Sequence, residues 1–195
     1  MKHKGTKTLE TEQLILRKFT ENDAEAVFRN WASDDEVTKF LTWPTHRSIE
    51  NSAGYINFCL ESYKEEASYQ WGIELKETGE LFGNISVVKI DEDLNAVELG
   101  YVIGRCYWGN GYMPEAVKAV IAFLFEEVGA DRIAARHDTN NPNSGKVMQK
   151  AGMKYEGTLR QCDRNNQGIV DCAVYSILKS EYLQAGKKTE IASLT

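Results

Sequence analysis

Between the apolar positions Val97, Leu99, Tyr101, Val102 and Ile103 and a long amphipathic pattern, the segment Trp108 to Ala116 reads WGNGYMPEA. This is a glycine-rich turn that opens a helix. Gly109 and Gly111 permit backbone dihedrals that a residue with a Cβ resists, and Pro114 is tolerated in a first turn, where its missing N–H costs nothing. The free N–H groups of the following helix start, with its dipole, favour an anion. Downstream, Met113, Val117, Val120, Ile121, Leu124, Phe125 and Val128 share one face at helical spacing, and Gly129 stops the helix. Such a stripe needs a partner surface, so the apolar runs around it are expected to form a sheet.

The remaining elements follow from periodicity and breakers. Leu14 to Phe19 predicts a strand, and Asn22 or Asp23 is placed to cap a helix through Trp31. A second helix is predicted from Ser48 to about Glu65. Tyr69–Leu75 and Leu81–Ile90 flank a hairpin turn at Thr78 and Gly79, and a strand at Val97–Ile103 follows the polar loop 91–95. After the long helix come a strand at Arg132–Arg136, a short helix at Ser144–Ala151 ended by Gly152, and strands near Lys154–Arg160 and Cys172–Leu178. This mixed order predicts a single α+β domain over 1–195 with a largely antiparallel sheet and about four helices. Its core spans about 8–183, with loose tails at 1–7 and 184–195.

Composition excludes several function classes. With 195 residues, 42% of them apolar and 27% charged, the chain suits one soluble domain. No stretch approaches the roughly 18 apolar residues of a membrane span, and the start lacks the apolar segment of a signal peptide, so the expected location is the cytoplasm. A net charge of −6 argues against a general nucleic-acid binder and suits a cationic partner. Cys59, Cys106, Cys162 and Cys172 show neither a C-x-x-C pair nor zinc spacing; free thiols and no metal are expected. A covalent route through Cys106 and His137 has nothing in the sequence to bring the two together. A homodimer is left open.

Spacing also narrows the phosphate. No Lys-Ser or Lys-Thr follows Gly111, which argues against a P-loop, and Pro114 stands where a dinucleotide fingerprint needs its third glycine. A second segment points elsewhere. Asn141-Pro-Asn-Ser144 precedes a short helix that ends at Gly152-Met153. The two segments together resemble the GNAT superfamily of N-acetyltransferases, and within it the ribosomal-protein N-terminal acetyltransferases. The family's pyrophosphate motif falls on Trp108 to Met113, with Trp108 and Met113 departing from its general form, and its Asn-x-x-Ser motif falls on Asn141 and Ser144. The resemblance runs from about Thr8 to Leu183 and includes the opening residues Leu9, Thr11, Leu14, Leu16 and Arg17, and Glu98-Leu-Gly-Tyr.

The resemblance implies a sheet splayed at its middle, with acetyl-CoA as cosubstrate lying in the opening. Val102 and Ile103 would offer backbone groups to the pantetheine; Asn110, Gly111, Tyr112 and Met113 would offer N–H groups to the pyrophosphate; Asn141 would bond the pantetheine. Arg105 would add charge near the phosphates or simply be solvated. Trp31, Trp43, Tyr55 and Trp71 would line an acceptor cleft or the core, and the loop Trp43 to His46 would set specificity.

Direct attack of an amine on a thioester needs a neutral amine, a donor for the oxyanion and a proton or hydrogen bond for the sulfur. An α-amine near pKa 7.8 is about 10% neutral at pH 7, and a lysine near 10.4 roughly 0.04%, a gap on the order of 3.5 kcal/mol. An N-terminal acceptor therefore asks less of a base. Asp163 and Glu98 compete for that role, with Asp163 preferred. The tyrosine that many superfamily members use on the leaving sulfur is replaced by Met148, so the role passes to Ser144, which can also act as a helix N-cap. The implied acceptor is a protein N-terminal amine such as that of a ribosomal protein. A small amine such as a polyamine or aminoglycoside, and a non-catalytic acyl-CoA-binding module, are the alternatives.

Overall fold

The structure is a computed structural model that describes residues 1–193, with side chains to Gly186. Strands β1 (Leu9–Glu10), β2 (Leu14–Arg17), β3 (Gln70–Leu75), β4 (Leu81–Asp91), β5 (Ala96–Ile103), β6 (Arg132–Asp138), β7 (Lys154–Asn165) and β8 (Gly168–Leu178) form one sheet in the order β1-β2-β3-β4-β5-β6-β8-β7. Helices α1 (Ala24–Val27), α2 (Asp35–Thr38), α3 (Ile49–Ser62), α4 (Tyr112–Phe123), α5 (Pro142–Lys150) and α6 (Lys179–Ser193) pack around it. The α+β class with a mostly antiparallel sheet is as expected, with six helices among the described residues where about four were expected.

The β5–β6 seam positions everything else. It is parallel and pairs Ala96–Leu99 with Arg132–Ala135, after which the strands part. From Gly100 onward β5 is bonded to β4 alone, and β6 runs on to Asp138 against β8. The sheet is thus splayed at its middle, and the half-strand Gly100–Ile103 keeps an open edge.

Two apolar clusters lie on the two faces of the sheet. The stripe of α4, with Val117, Val120 and Ile121 buried, covers one face together with α5, and Met148 is buried there. On the other face Val27, Trp31, Ile56 and Cys59 pack against Phe19, Leu81 and Val102. The long helix expected to Val128 runs as α4 to Phe123 and then widens into a π turn over Leu124–Val128, which Gly129 ends at φ 83°.

Several local expectations need correction. Asp23, one of the two expected caps, is the N-cap residue of α1 but makes no capping bond there; a helical turn at Glu21–Asp23 precedes it, capped by Thr20, whose N–H Asp23 takes at 2.6 Å while pairing with Arg17. Helix α2 has too few residues for a periodic signal and is held by the Asp34 side chain, which accepts from the Glu36 N–H. Strands β7 and β8 extend well past Arg160 because their polar ends pair with each other to a turn at Asn165–Gly168. The start is not loose: the Met1 ammonium donates to Asn95 Oδ1 at 3.0 Å, and His3 bonds the Tyr69 hydroxyl at 2.9 Å. The C-terminal stretch expected to be loose is helical to Ser193.

Candidate active site

Two cavities meet at the splay. One, of about 640 Å³, lies beneath the loop 40–46, and the other, of about 600 Å³, runs along the glycine turn; Phe40, Leu41, Tyr101, Val102, Asn141 and Ser144 line both.

The second cavity runs past the glycine turn and the start of α4. Gly111 adopts φ 84° at the N-cap of α4, and Glu115 donates the first backbone bond back to it, at 3.2 Å. Among the described residues, nothing accepts from the N–H groups of Asn110, Gly111, Tyr112 and Met113, and Pro114 has none to satisfy. A row of fixed donors at a helix start suits a pyrophosphate. Lys39, Lys146 and Lys150 line the same cavity and add charge that sequence reasoning missed. Arg105 does not join them, because its Nε pairs with Asp34 Oδ2 at 3.0 Å and so ties α2 to the turn after β5.

Ladder parity corrects one further expectation. Gly104 donates to Phe82 O across β4, and Asn95 O accepts from β6, so alternation turns the backbone of Val102 towards β4 and that of Tyr101 and Ile103 towards the open edge. The open-edge backbone groups are therefore those of Tyr101 and Ile103, whereas Val102 turns its own to β4 and lines the cavities with its side chain. The Ile103 carbonyl already accepts the Trp108 indole N–H at 2.9 Å. This gives Trp108 a structural task, pinning the turn to the strand end.

At the start of α5 the expected division of labour shifts. Asn141 is the N-cap residue, but its side chain makes no capping bond, and Pro142 follows at the first helical position. Ser144 is therefore not the cap, and its hydroxyl is free for other work. Its Oγ lies 3.0 Å from the Tyr101 hydroxyl, which also donates to the Ser144 carbonyl at 3.0 Å. A carbonyl only accepts and a phenol has one proton, so satisfying both contacts requires Ser144 Oγ–H to donate to Tyr101. Burial pushes the Tyr101 hydroxyl well above its ordinary range and keeps it protonated. Tyr101 was legible only as part of Glu98-Leu-Gly-Tyr, with no signal of its own.

Glu98 and Asp163 meet on the opposite face of the sheet. Arg136, on the free end of β6, places its Nε 2.9 Å from Glu98 Oε1 and 3.4 Å from Asp163 Oδ2. The two rival carboxylates thus share one guanidinium, which offsets their mutual repulsion at the wall of the first cavity. Asp163 also accepts from the Arg164 N–H at 2.8 Å through its other oxygen. Nearby Asp138 is buried and fully used, taking Asn140 N and Asn165 Nδ2 at 2.8 Å each, which fixes the turn into α5.

Other sequence candidates separate cleanly. Trp43 and Tyr55 line the first cavity; Trp31 does so from the core, and Trp71 is wholly buried, donating to Lys7 O. His46 lies tilted against Trp43 with ring centroids 5.3 Å apart, bonds Ser52 Oγ through Nδ1, and is pushed below its ordinary pKa by burial. Cys106 is exposed and lines neither cavity, whereas His137 lines the first; Gly145 leaves room for its ring, since a Cβ there would meet Nε2 at 2.6 Å.

Comparison with known proteins agrees with this geometry. The model of the acetyltransferase (GNAT) domain matches residues 13–154. The chain is 37% identical to the uncharacterised N-acetyltransferase YoaA of Bacillus subtilis over 88% of its own length and 96% of the relative's. It is 27% identical to the [ribosomal protein uS5]-alanine N-acetyltransferase of Escherichia coli, over 76% of this chain and 79% of that one. A GNAT-family acetyltransferase structure from Bacillus anthracis superposes with a TM-score of 0.78 at 28% identity, covering 89% and 99% of the two chains. The splayed seam, the donor row at Gly111 and these likenesses agree, and the chain belongs to the GNAT family of N-acetyltransferases.

Proposed function

We propose that this enzyme transfers acetyl from acetyl-CoA directly to the N-terminal α-amine of a protein or peptide, in the cytoplasm. The observation that carries the reading is the arrangement of two groups on opposite faces of the splay. Glu98, Arg136 and Asp163 face the amine side, and Ser144 with Tyr101 faces the sulfur side. The donor row at Asn110–Met113, the three lysines and the uncommitted Asn141 side chain fit the pyrophosphate, phosphate charge and pantetheine of the cosubstrate.

Acetyl-CoA supplies an activated acyl group whose attack by the amine yields an amide and a free thiol. The chain's own residues do the rest. Asp163 takes the proton of the incoming ammonium, since it holds Arg136 less closely than Glu98 does. Arg136 keeps both carboxylates aimed at the cavity, and Glu98 balances its charge. Ser144, whose hydroxyl proton rests on Tyr101 in the free enzyme, turns it to the departing sulfur as charge develops there, while Tyr101, anchored on the Ser144 carbonyl, keeps the Ser144 side chain in place. The backbone N–H of Tyr101, turned to the open edge, is a preorganised donor for the acyl oxygen. The relative named for alanine N-termini supports an α-amine acceptor.

Calorimetry with acetyl-CoA, followed by thiol release with peptides and free amines, tests this. Tight binding with turnover on peptide N-termini is the expected result. Turnover on polyamines or aminoglycosides alone would replace the acceptor, and binding without turnover on any amine would leave a binding module.

A further inference from the structure

The first cavity is divided chemically. Its inner end carries Glu98, Arg136 and Asp163, and its outer end is walled by Phe40, Trp43, His46, Tyr55, Phe58 and Val88. Phe58 and Val88 are 61% and 58% exposed, although each sits at the rim of a concave site. Large apolar surface left facing such a cleft is surface that an occupant would cover. His46, held by Ser52 and kept low in pKa by burial, is neutral at pH 7 and adds no charge to this wall.

A roof limits how an acceptor enters. Asn166, in the β7–β8 turn, donates Nδ2 to Thr38 O at 2.9 Å and Trp43 O at 2.8 Å, and its N–H to Leu41 O at 3.1 Å. One side chain and one amide thus clasp the loop 38–43 over the cavity. An occupant reaches the carboxylates by its end, with its amine leading and its following atoms beneath the aromatic wall. At about 640 Å³ the cavity lies within the usual range for ligand sites, roughly 300–1,000 Å³. It has room for a large first residue.

We infer that the preferred acceptor is a peptide N-terminus whose first residue carries a bulky apolar side chain, seated against Trp43 and Phe58 with its ammonium on Asp163 and Glu98. This rests on the N-terminal reading above and narrows it. Serine and alanine side chains are too small to cover the Phe58 and Val88 rim. Charge complementarity orients the occupant, because the acidic pair at the inner end attracts the ammonium, while Lys89 beside Val88 at the rim repels it and disfavours a cationic side chain there.

The test is a kinetic panel with acetyl-CoA and peptides of one sequence that differ only in the first residue, Ser, Ala, Met, Leu or Phe, together with free phenethylamine. The expected result is a kcat/KM at least about tenfold higher for Met, Leu or Phe than for Ser or Ala, with phenethylamine below the apolar peptides. Trp43→Ala should lower the apolar series about tenfold more than the alanine peptide. Phe58→Ser, on the exposed side of α3, gives the same comparison should the tryptophan variant fail to fold. Equal or faster turnover of Ser and Ala peptides overturns the inference and leaves the proposed function standing. Phenethylamine outrunning every peptide overturns the peptide source. Acetyl-CoA binding without turnover on any member overturns the transfer reading itself.

Discussion

The cavity along the glycine turn and the cavity beneath the loop 40–46 share a wall but are made of different material. The cavity along the glycine turn joins the backbone of Gly111–Met113 and the open edge of β5 to a few lysine side chains. The other is lined by side chains from α3, β4, β5, β6, β7 and the loop 40–46. Backbone donors recognise what every acyl-CoA shares, and they need only a turn and a strand end to be placed. Side chains drawn from distant elements recognise what differs between acceptors, and they depend on the whole topology to converge. The lesson is a separation of tasks, cosubstrate affinity on one side and chemistry with acceptor choice on the other.

Substitutions that respect or cross this boundary test it. The largest effect belongs to Asp163→Asn, which should lower kcat about 10²-fold or more, the usual loss for a general base, while calorimetry shows acetyl-CoA affinity unchanged. A matching fall in that affinity would break the separation. Next comes Gly111→Ala. No neighbour lies within 4 Å of the added Cβ, so the cost is dihedral alone at φ 84°, about 1–2 kcal/mol. If that strain is relieved by distorting the donor row, acetyl-CoA should bind roughly 5–30-fold more weakly, with acceptor KM unmoved. Tyr101→Phe lies on the boundary itself. It removes both hydrogen bonds to Ser144; loss of the one that holds the hydroxyl, about 1 kcal/mol, should lower kcat about fivefold and leave both substrates' binding intact, separating a positioning role from a binding one.

The smallest effect is on stability. Burial holds His46 below its ordinary value, so the unfolded chain takes up a proton near pH 6.5 that the folded chain resists. The stability linked to this ring is therefore full above about pH 6.5 and is lost as pH falls below it, by less than about 1 kcal/mol because solvent screens a partly exposed imidazole. His46→Gln should flatten the decline in Tm between about pH 7 and pH 5. An unchanged slope would mean that the loop 40–46 opens before the ring titrates.

Legibility followed the same boundary. The glycine turn, the α4 stripe and Asn141–Ser144 were readable because each is a local pattern whose physics closes within a few residues. The carboxylates were readable as candidates but not as a cluster, because only the parting of β5 from β6 puts Arg136 between them. Lys146 and Lys150 carried no signal of their own, as lysines on a helix face are ordinarily solvated. For Arg105, left open between phosphate charge and solvation, the partner was what the sequence hid: Asp34 caps a helix too short to show periodicity.

By itself, then, the sequence determined an α+β domain, the order of its main elements and an anion site at a helix start, because dihedral preference, amphipathic period and free N–H groups are set by neighbours in the chain. Only the tertiary structure decided which backbone faces the opening, where the Ser144 proton points, what Arg136 joins and how Asn166 closes the roof. Those contacts link residues far apart in sequence, and their geometry exists only once the sheet has paired in one order and split at one seam.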